Sequence, residues 1–211
     1  MMFENRLDAA RRLAEALSAH AGSRPLVLAI PRGAVPMGAA LAEALDGELD
    51  VVLVHKLGSR WNAEYAVGAI DESGWSFVSD PGEAEEAWLE EERARRLAGL
   101  RERRQLYSPG RPPVDAHGRT VIIVDDGLAT GATMIAALHA VRAQAPAKLI
   151  CAVPVAAPDS LKKVEALADE VVCLHAPWNF RAVGQFYREF GQVEDEEVVA
   201  CLEAWRKRGG R

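Results

Sequence analysis

Along this chain, short runs in which nearly every position is apolar alternate with stretches where apolar residues return every three or four positions. The continuous runs are "PLVLAIP" (25–31), "LDVVLVHK" (49–56), residues 120–125, 148–155 and 170–175. Their length and β-branched content predict strands covered on both faces. The helical periods fall at 3–20, with Leu7, Leu13, Ala14 and Leu17 on one side, and at 34–45, 131–144, 158–168 and 194–207. Strand and helix in alternation imply an α/β fold, a Rossmann-like parallel sheet flanked by helices. In such sheets ligands bind beyond the carboxyl ends of the strands. That rule puts 31–34, 56–66 and 125–133 on one functional rim.

Three stretches depart from the alternation. Residues 57–80 hold Gly58, Gly68 and Gly74 and two short β-prone pieces, "YAVGAI" and "WSFVS", which predict a hairpin or mobile excursion. Residues 81–106 form a long helical pattern, acidic in its first half and basic in its second. That order suits the helix dipole and describes a solvated helix. Residues 176–193 are aromatic-rich and irregular, the start of a hood-like C-terminal segment. The length of 211 residues suits one domain carrying these appendages.

Charge and composition narrow the function. With 27% charged residues and a formal net charge of −6, the chain reads as globular and lacks the basic footprint of a nucleic-acid binder. No apolar run is long enough to span a bilayer, and "MMFENRLDAARRLAEALSAH" lacks the apolar core of a signal peptide. Cys151, Cys173 and Cys201 form no zinc or disulfide pattern, and Cys151 and Cys173 sit in apolar runs as buried thiols. A cytoplasmic location is expected. The five histidines are scattered and form no catalytic or metal-binding spacing.

The chemistry concentrates in "VIIVDDGLATGATM" (121–134). Four β-branched residues run into Asp125 and Asp126, and a loop of small and hydroxylated residues leads into a helix. Gly127 and Gly131 allow tight turns, Thr130 and Thr133 offer hydroxyls, and the helix start offers unpaired N–H groups. Together they form a cradle for a phosphate. The loop has no lysine, so it is not of the GxxxxGK[ST] type. Two carboxylates would repel that phosphate, yet they accept hydrogen bonds from vicinal hydroxyls. One ligand with both ends is a ribose 5-phosphate.

This stretch resembles the phosphoribosyl-pyrophosphate (PRPP) motif of type I phosphoribosyltransferases. The resemblance implies that Asp125 and Asp126 hold the ribose hydroxyls. It also implies that Ala129, Thr130, Gly131, Ala132 and Thr133 hold the 5-phosphate. "AIPRGAVPMG" (29–38) is similar to the family's diphosphate loop, so Arg32 and the Gly33 amide would face the leaving diphosphate. That loop often carries a non-proline cis peptide, which falls here at Pro31–Arg32. Lys56, in "VHKLG" at a strand end, takes the place where related enzymes bring a cation to PRPP. Further pieces, "AEYAVGAI", "CAVPVAAP" and "NFRAVGQFYREFGQVEDEEV", resemble a less characterised branch of the superfamily. The segment "SRWNAEY" departs from that branch, which usually has Gly and Pro there.

The resemblance implies transfer of the 5-phosphoribosyl group from PRPP to a nitrogen acceptor, a nucleobase by analogy, with release of diphosphate. Mg²⁺ would ride on the diphosphate and ribose oxygens near Asp125 and Asp126, with no all-protein cage. Family members of the 6-oxopurine type carry an aspartate where this chain has Ala129, which argues against a hypoxanthine-guanine site. A replacement acid or base is assigned to Glu64. "PWNFRAVGQFYREF" is similar to the base-stacking segment of purine enzymes, which singles out Phe180 and Val183. Superfamily analogy adds a homodimer. The alternative from another class is a non-catalytic PRPP or nucleotide sensor on the same fold.

Overall fold

A computed structural model describes residues 1–58, 66–78 and 86–209. Its central strands are β1 (Leu26–Ala29), β2 (Glu48–Val51), β6 (Thr120–Val124), β7 (Lys148–Val155) and β8 (Glu170–His175). They form a five-stranded parallel sheet in the order β2-β1-β6-β7-β8. Period-two alternation sends Val27, Ala29, Ile122, Val124, Ile150 and Ala152 into one core. Leu26, Leu28, Val121, Ile123, Leu149 and Cys151 enter the other. Helices α1 (Arg6–Ala16), α2 (Val35–Ala44) and α6 (Asp195–Lys207) contribute to the first core. Helices α4 (Ala132–Arg142) and α5 (Pro158–Glu165) contribute to the second.

The strand order reverses at β1. Its chain successor β2 lies on one side and β6 on the other. The loops leaving β1 and β6 therefore diverge toward opposite faces, which opens a crevice at their carboxyl ends.

The run at 49–56 is not one strand. It divides after Val51, and Val54–Gly58 becomes β3 of a separate antiparallel sheet. Its partners are β4 (Ala66–Asp71) and β5 (Ser76–Val78), in the order β3-β4-β5. Both sheets bury this stretch, so its apolar pattern runs on without punctuation. Lys56 is thus an interior residue of β3, paired with Ala69, and not the end residue of a core strand. The small sheet rests on α4, where the Phe77 and His139 rings meet at a tilt of 38° with centroids 4.3 Å apart. The excursion predicted from 57 therefore contains an ordered hairpin in its described part.

The long helix, α3 (Glu86–Tyr107), is not wholly solvated. Arg104 is buried and donates to Asp50 Oδ1 at 2.7 Å, to the Val51 carbonyl at 2.9 Å and to Glu72 Oε1 at 2.5 Å. Asp50 Oδ2 also accepts from Val114 N at 2.9 Å. This network ties α3 to the end of β2 and to the β4–β5 turn.

Candidate functional site

The crevice is built by three segments of chain. The first is the loop after β1. Ile30 N donates to Val124 O at 3.0 Å, which holds the start of this loop beside the end of β6. The Pro31–Arg32 peptide is cis. Gly33 has no room for a side chain: a Cβ there would collide with Asp126 Oδ2 and lie 3.1 Å from Arg6 Nε. The diphosphate loop of the sequence and the acid pair are therefore in direct contact.

The second segment follows β6. Asp125 Oδ1 accepts from Asp126 N at 2.9 Å, which orients the pair. Leu128 then bridges to Ala156, and Leu128 N donates to Val155 O at 2.9 Å. That strap arches Ala129 and Thr130 into solvent. Ser160 Oγ, buried at the start of α5, donates to Ala129 O at 2.7 Å and fixes the arch from below. Gly131 takes a left-handed φ of +74°, which turns the chain into α4. Thr130 Oγ1 lies 3.4 Å from Ala132 N, a long contact. The first-turn amides of α4 thus stand beside the exposed Thr130 and Thr133, in the geometry of an anion cradle.

The third segment comes from both ends of the chain. Asn5 caps α1 by accepting from Leu7 N and Asp8 N, so Arg6 is the first helical residue. Arg6 Nε donates to Asp126 Oδ2 at 2.9 Å, and its NH1 donates to Gly191 O at 2.7 Å. Its guanidinium lies 4.0 Å over the Phe190 ring. Phe190 in turn stacks on Tyr187 at 4.9 Å, and the Tyr187 hydroxyl donates to Asp126 O at 2.7 Å. Phe3 pairs with Tyr187 and donates its N–H to Phe186 O at 2.8 Å.

These parts line an open cavity of about 490 Å³, bounded by Arg6, Arg32, Gly33, Asp126, Val183 and Phe190 and by residues 191–193. The volume suits a small-molecule ligand. A hollow of about 540 Å³ at the opposite rim holds Arg24, Arg119 and Arg208. There Arg119 pairs with Glu48 at 2.7 Å and Arg208 with Glu43 at 3.7 Å, so its charge is balanced within the chain.

The acids are unusual electrostatically. Burial and the neighbouring Asp126 carboxylate push the Asp125 carboxyl well above the ordinary carboxylate range. Burial also raises Asp126, against the lowering effect of the Arg6 guanidinium. A half-buried acid pair with one close cation is short of positive charge. Among the described residues no group of three or more His, Cys, Asp or Glu side chains is arranged to hold a metal. Two hard carboxylate oxygens instead suit a metal that arrives with most of its ligands on a substrate.

Of the residues singled out from sequence, Arg32, Gly33, Asp126 and Val183 meet at this cavity. Val183 also closes over Gly127, where a Cβ would come within 2.7 Å of its Cγ1. Arg32 NH1 is occupied by Glu194 Oε2 at 3.0 Å, on an exposed surface. Lys56, on β3, is not a lining residue of the cavity. Phe180 stacks on Phe186 at 5.6 Å and packs against the core, whereas the aromatic lining the cavity is Phe190. Glu64 lies outside the described residues. Tyr187, Phe190 and Glu194 lie in the quoted C-terminal pieces but were not chosen there as site residues, and Arg6 carried no local signal. They reach the site only through tertiary contact.

Comparisons with known proteins give the family and the fold. Residues 2–189 match the model of the phosphoribosyl transferase domain. The chain is 40% identical over 206 residues to a protein of Mycobacterium tuberculosis strain H37Rv named "putative phosphoribosyl transferase". A counterpart in strain CDC 1551 matches equally. The match takes in 96% of this chain and 46% of each relative, so the chain spans about half their length. A crystal structure of TT1426 from Thermus thermophilus superposes with a TM-score of 0.90 at 44% identity, covering 97% of this chain and 99% of that one. The AQ2163 protein of Aquifex aeolicus shares the fold alone, with a TM-score of 0.50 at 15% identity over 81% of this chain and 72% of that one. A strand-end acid pair, a glycine-turned anion loop and a matched family model lead to one conclusion: the chain belongs to the phosphoribosyl transferase domain family.

Proposed function

We propose that the protein transfers the 5-phosphoribosyl group of PRPP to a nitrogen acceptor and releases diphosphate. The observation that carries this reading is the pairing of opposite chemistries in one crevice. A donor-rich helix start and a half-buried acid pair lie on the same loop, and the Gly33 loop touches that pair. A phosphate at one end of a ribose and hydroxyls at the other satisfy both.

In this reading the 5-phosphate docks on residues 129–133 at the start of α4. Asp125 and Asp126 accept from the ribose hydroxyls. Arg32 and the Gly33 amide face the diphosphate, which requires Arg32 to leave Glu194. The acceptor nitrogen donates its lone pair to the anomeric carbon as the carbon–oxygen bond to diphosphate breaks. Both electrons of that bond leave with the diphosphate, and the nitrogen loses its proton. The transition state is oxocarbenium-like, so the protein's task is to orient the sugar and stabilise separated charge. Mg²⁺, when bound, neutralises diphosphate charge, and Asp125 and Asp126 would hold it together with substrate oxygens. The acceptor would enter beside Val183 and Phe190. A nucleobase is the class that fits an aromatic and aliphatic wall.

The test is diphosphate release from PRPP and Mg²⁺ with pooled nucleobases and small amines, using an Asp125→Asn, Asp126→Asn double variant as blank. Acceptor-dependent release that vanishes in the variant supports transfer. PRPP binding without release from any pool would replace transfer with sensing.

A further inference from the structure

We infer that Arg6 is a diphosphate-binding residue of this site, held ready by Asp126 until the ribose takes the acid over; this rests on the transfer reading above. Four observations support it. Arg6 lies in the cavity wall beside Arg32 and Gly33, and its Nε falls 3.1 Å from where a Gly33 Cβ would be. Its contact with Asp126 is a single Nε bond at 2.9 Å, without the second parallel bond of a bidentate pair. Its NH1 is anchored on Gly191 O at 2.7 Å and its plane rests on Phe190 at 4.0 Å, so the side chain keeps its place if Asp126 turns away. Asp125 and Asp126 place two carboxylates beside this one close cation.

Ligand arrival changes this balance. Ribose hydroxyls accepted by Asp126 supply donors that replace Arg6 Nε. The guanidinium then faces the group that sits on the Gly33 loop, which carries several negative charges. Arg32 makes the same exchange on the other side, leaving Glu194 Oε2. Until then each cation stays paired with an acid of its own chain. Those acids stop unproductive anions from occupying the diphosphate position when no ribose is attached. The specificity is for a ligand in which diphosphate and ribose are one molecule. Inorganic diphosphate must displace both internal acids and offers Asp126 no donor in return. The N-terminal helix is therefore part of the substrate site, and the 187–193 segment is the brace that aims it.

The experiment is calorimetric binding of three probes with Mg²⁺ present: PRPP, inorganic diphosphate and ribose 5-phosphate. It compares the parent with Arg6→Gln and Arg6→Lys. Arg6→Gln is expected to weaken PRPP by roughly tenfold or more, since a charge-assisted contact is lost. Ribose 5-phosphate binding is expected to stay within about threefold, because that probe lacks the group Arg6 meets. Arg6→Lys is expected to recover part of the PRPP loss, which a purely packing role would not predict. The parent is expected to prefer PRPP over inorganic diphosphate by more than the Arg6→Gln variant does. Equal loss of PRPP and ribose 5-phosphate in Arg6→Gln would make Arg6 a scaffold residue and overturn the inference. Unchanged PRPP binding in that variant would overturn it as well, with the transfer reading intact. A parent that binds none of the probes would overturn both, and the parent titration alone shows that case.

Discussion

Arg104 and Arg6 each reach from a helix to an aspartate near a strand end, and they do opposite work. Arg104 of α3 is 5% exposed at its side chain and is satisfied by Asp50, Glu72 and the Val51 carbonyl. Asp50 is in turn bonded by Val51 N and Val114 N. The hydrogen-bonding groups there are paired inside the chain. Arg6 and Asp126 are 13% and 17% exposed and face an open cavity, and the acid pair beside Arg6 holds protons more tightly than ordinary carboxylates do. A closed network fixes a fold. One that opens on a cavity at the rim of a sheet is a place for a substrate.

That contrast can be broken at several points. The largest stability effect is expected from Arg104→Met, which strands Asp50 and Glu72 in the interior. It should cost about 3–5 kcal/mol in urea unfolding. Asp125→Asn should do the reverse. Diphosphate release should fall on the order of a hundredfold or more, while the denaturation midpoint holds or rises. Gly33→Ala comes next, because its Cβ meets Asp126 Oδ2. Transfer should be crippled, with unfolding free energy lowered by about 1–3 kcal/mol.

A pH series sharpens the comparison further. The Asp125 pKa is raised above its ordinary value of 3.8, so the folded chain holds that proton more tightly than the unfolded chain. Its contribution to stability is full below the unfolded pKa and is lost as pH rises through the folded one. Asp125→Asn removes that loss. The melting temperature of the variant minus that of the parent should therefore climb as pH is raised from about 4. The smallest effect belongs to an exposed pair: Lys207→Ala, which breaks a 3.5 Å contact with Glu203, should change stability by less than about 0.5 kcal/mol.

The legibility of the sequence follows the same divide. β6, the acid pair, the anion loop and α4 are contiguous, so their chemistry is written in adjacent letters. The parallel sheet was also readable, because each core strand is buried on both faces and leaves an unbroken apolar run. The division of 49–56 into β2 and β3 was not, since Val52 and Leu53 are buried at the turn as well. Nor was the burial of Arg104, one of several arginines in the same helical half, distinguished only by the acids it meets across space. Arg6 stands in "ENRLDAARR", where one arginine looks like another. Phe180 and Phe190 belong to one aromatic stretch, and only the 3-10 turn at Val183–Phe186 decides which ring turns to the core and which to the cavity.

The bond from Arg6 to the Gly191 carbonyl spans 185 positions of chain. Its consequence concerns the order of assembly. Local elements such as the β6–α4 unit can form as soon as their residues are available, whereas a contact between distant segments must first overcome the entropy of closing the loop between them. On a ribosome the acid pair would be folded and bare well before Phe190 and Gly191 emerge. The nascent chain would thus form its β6–α4 unit early and its finished pocket late, because the arginine waits for the segment that braces it.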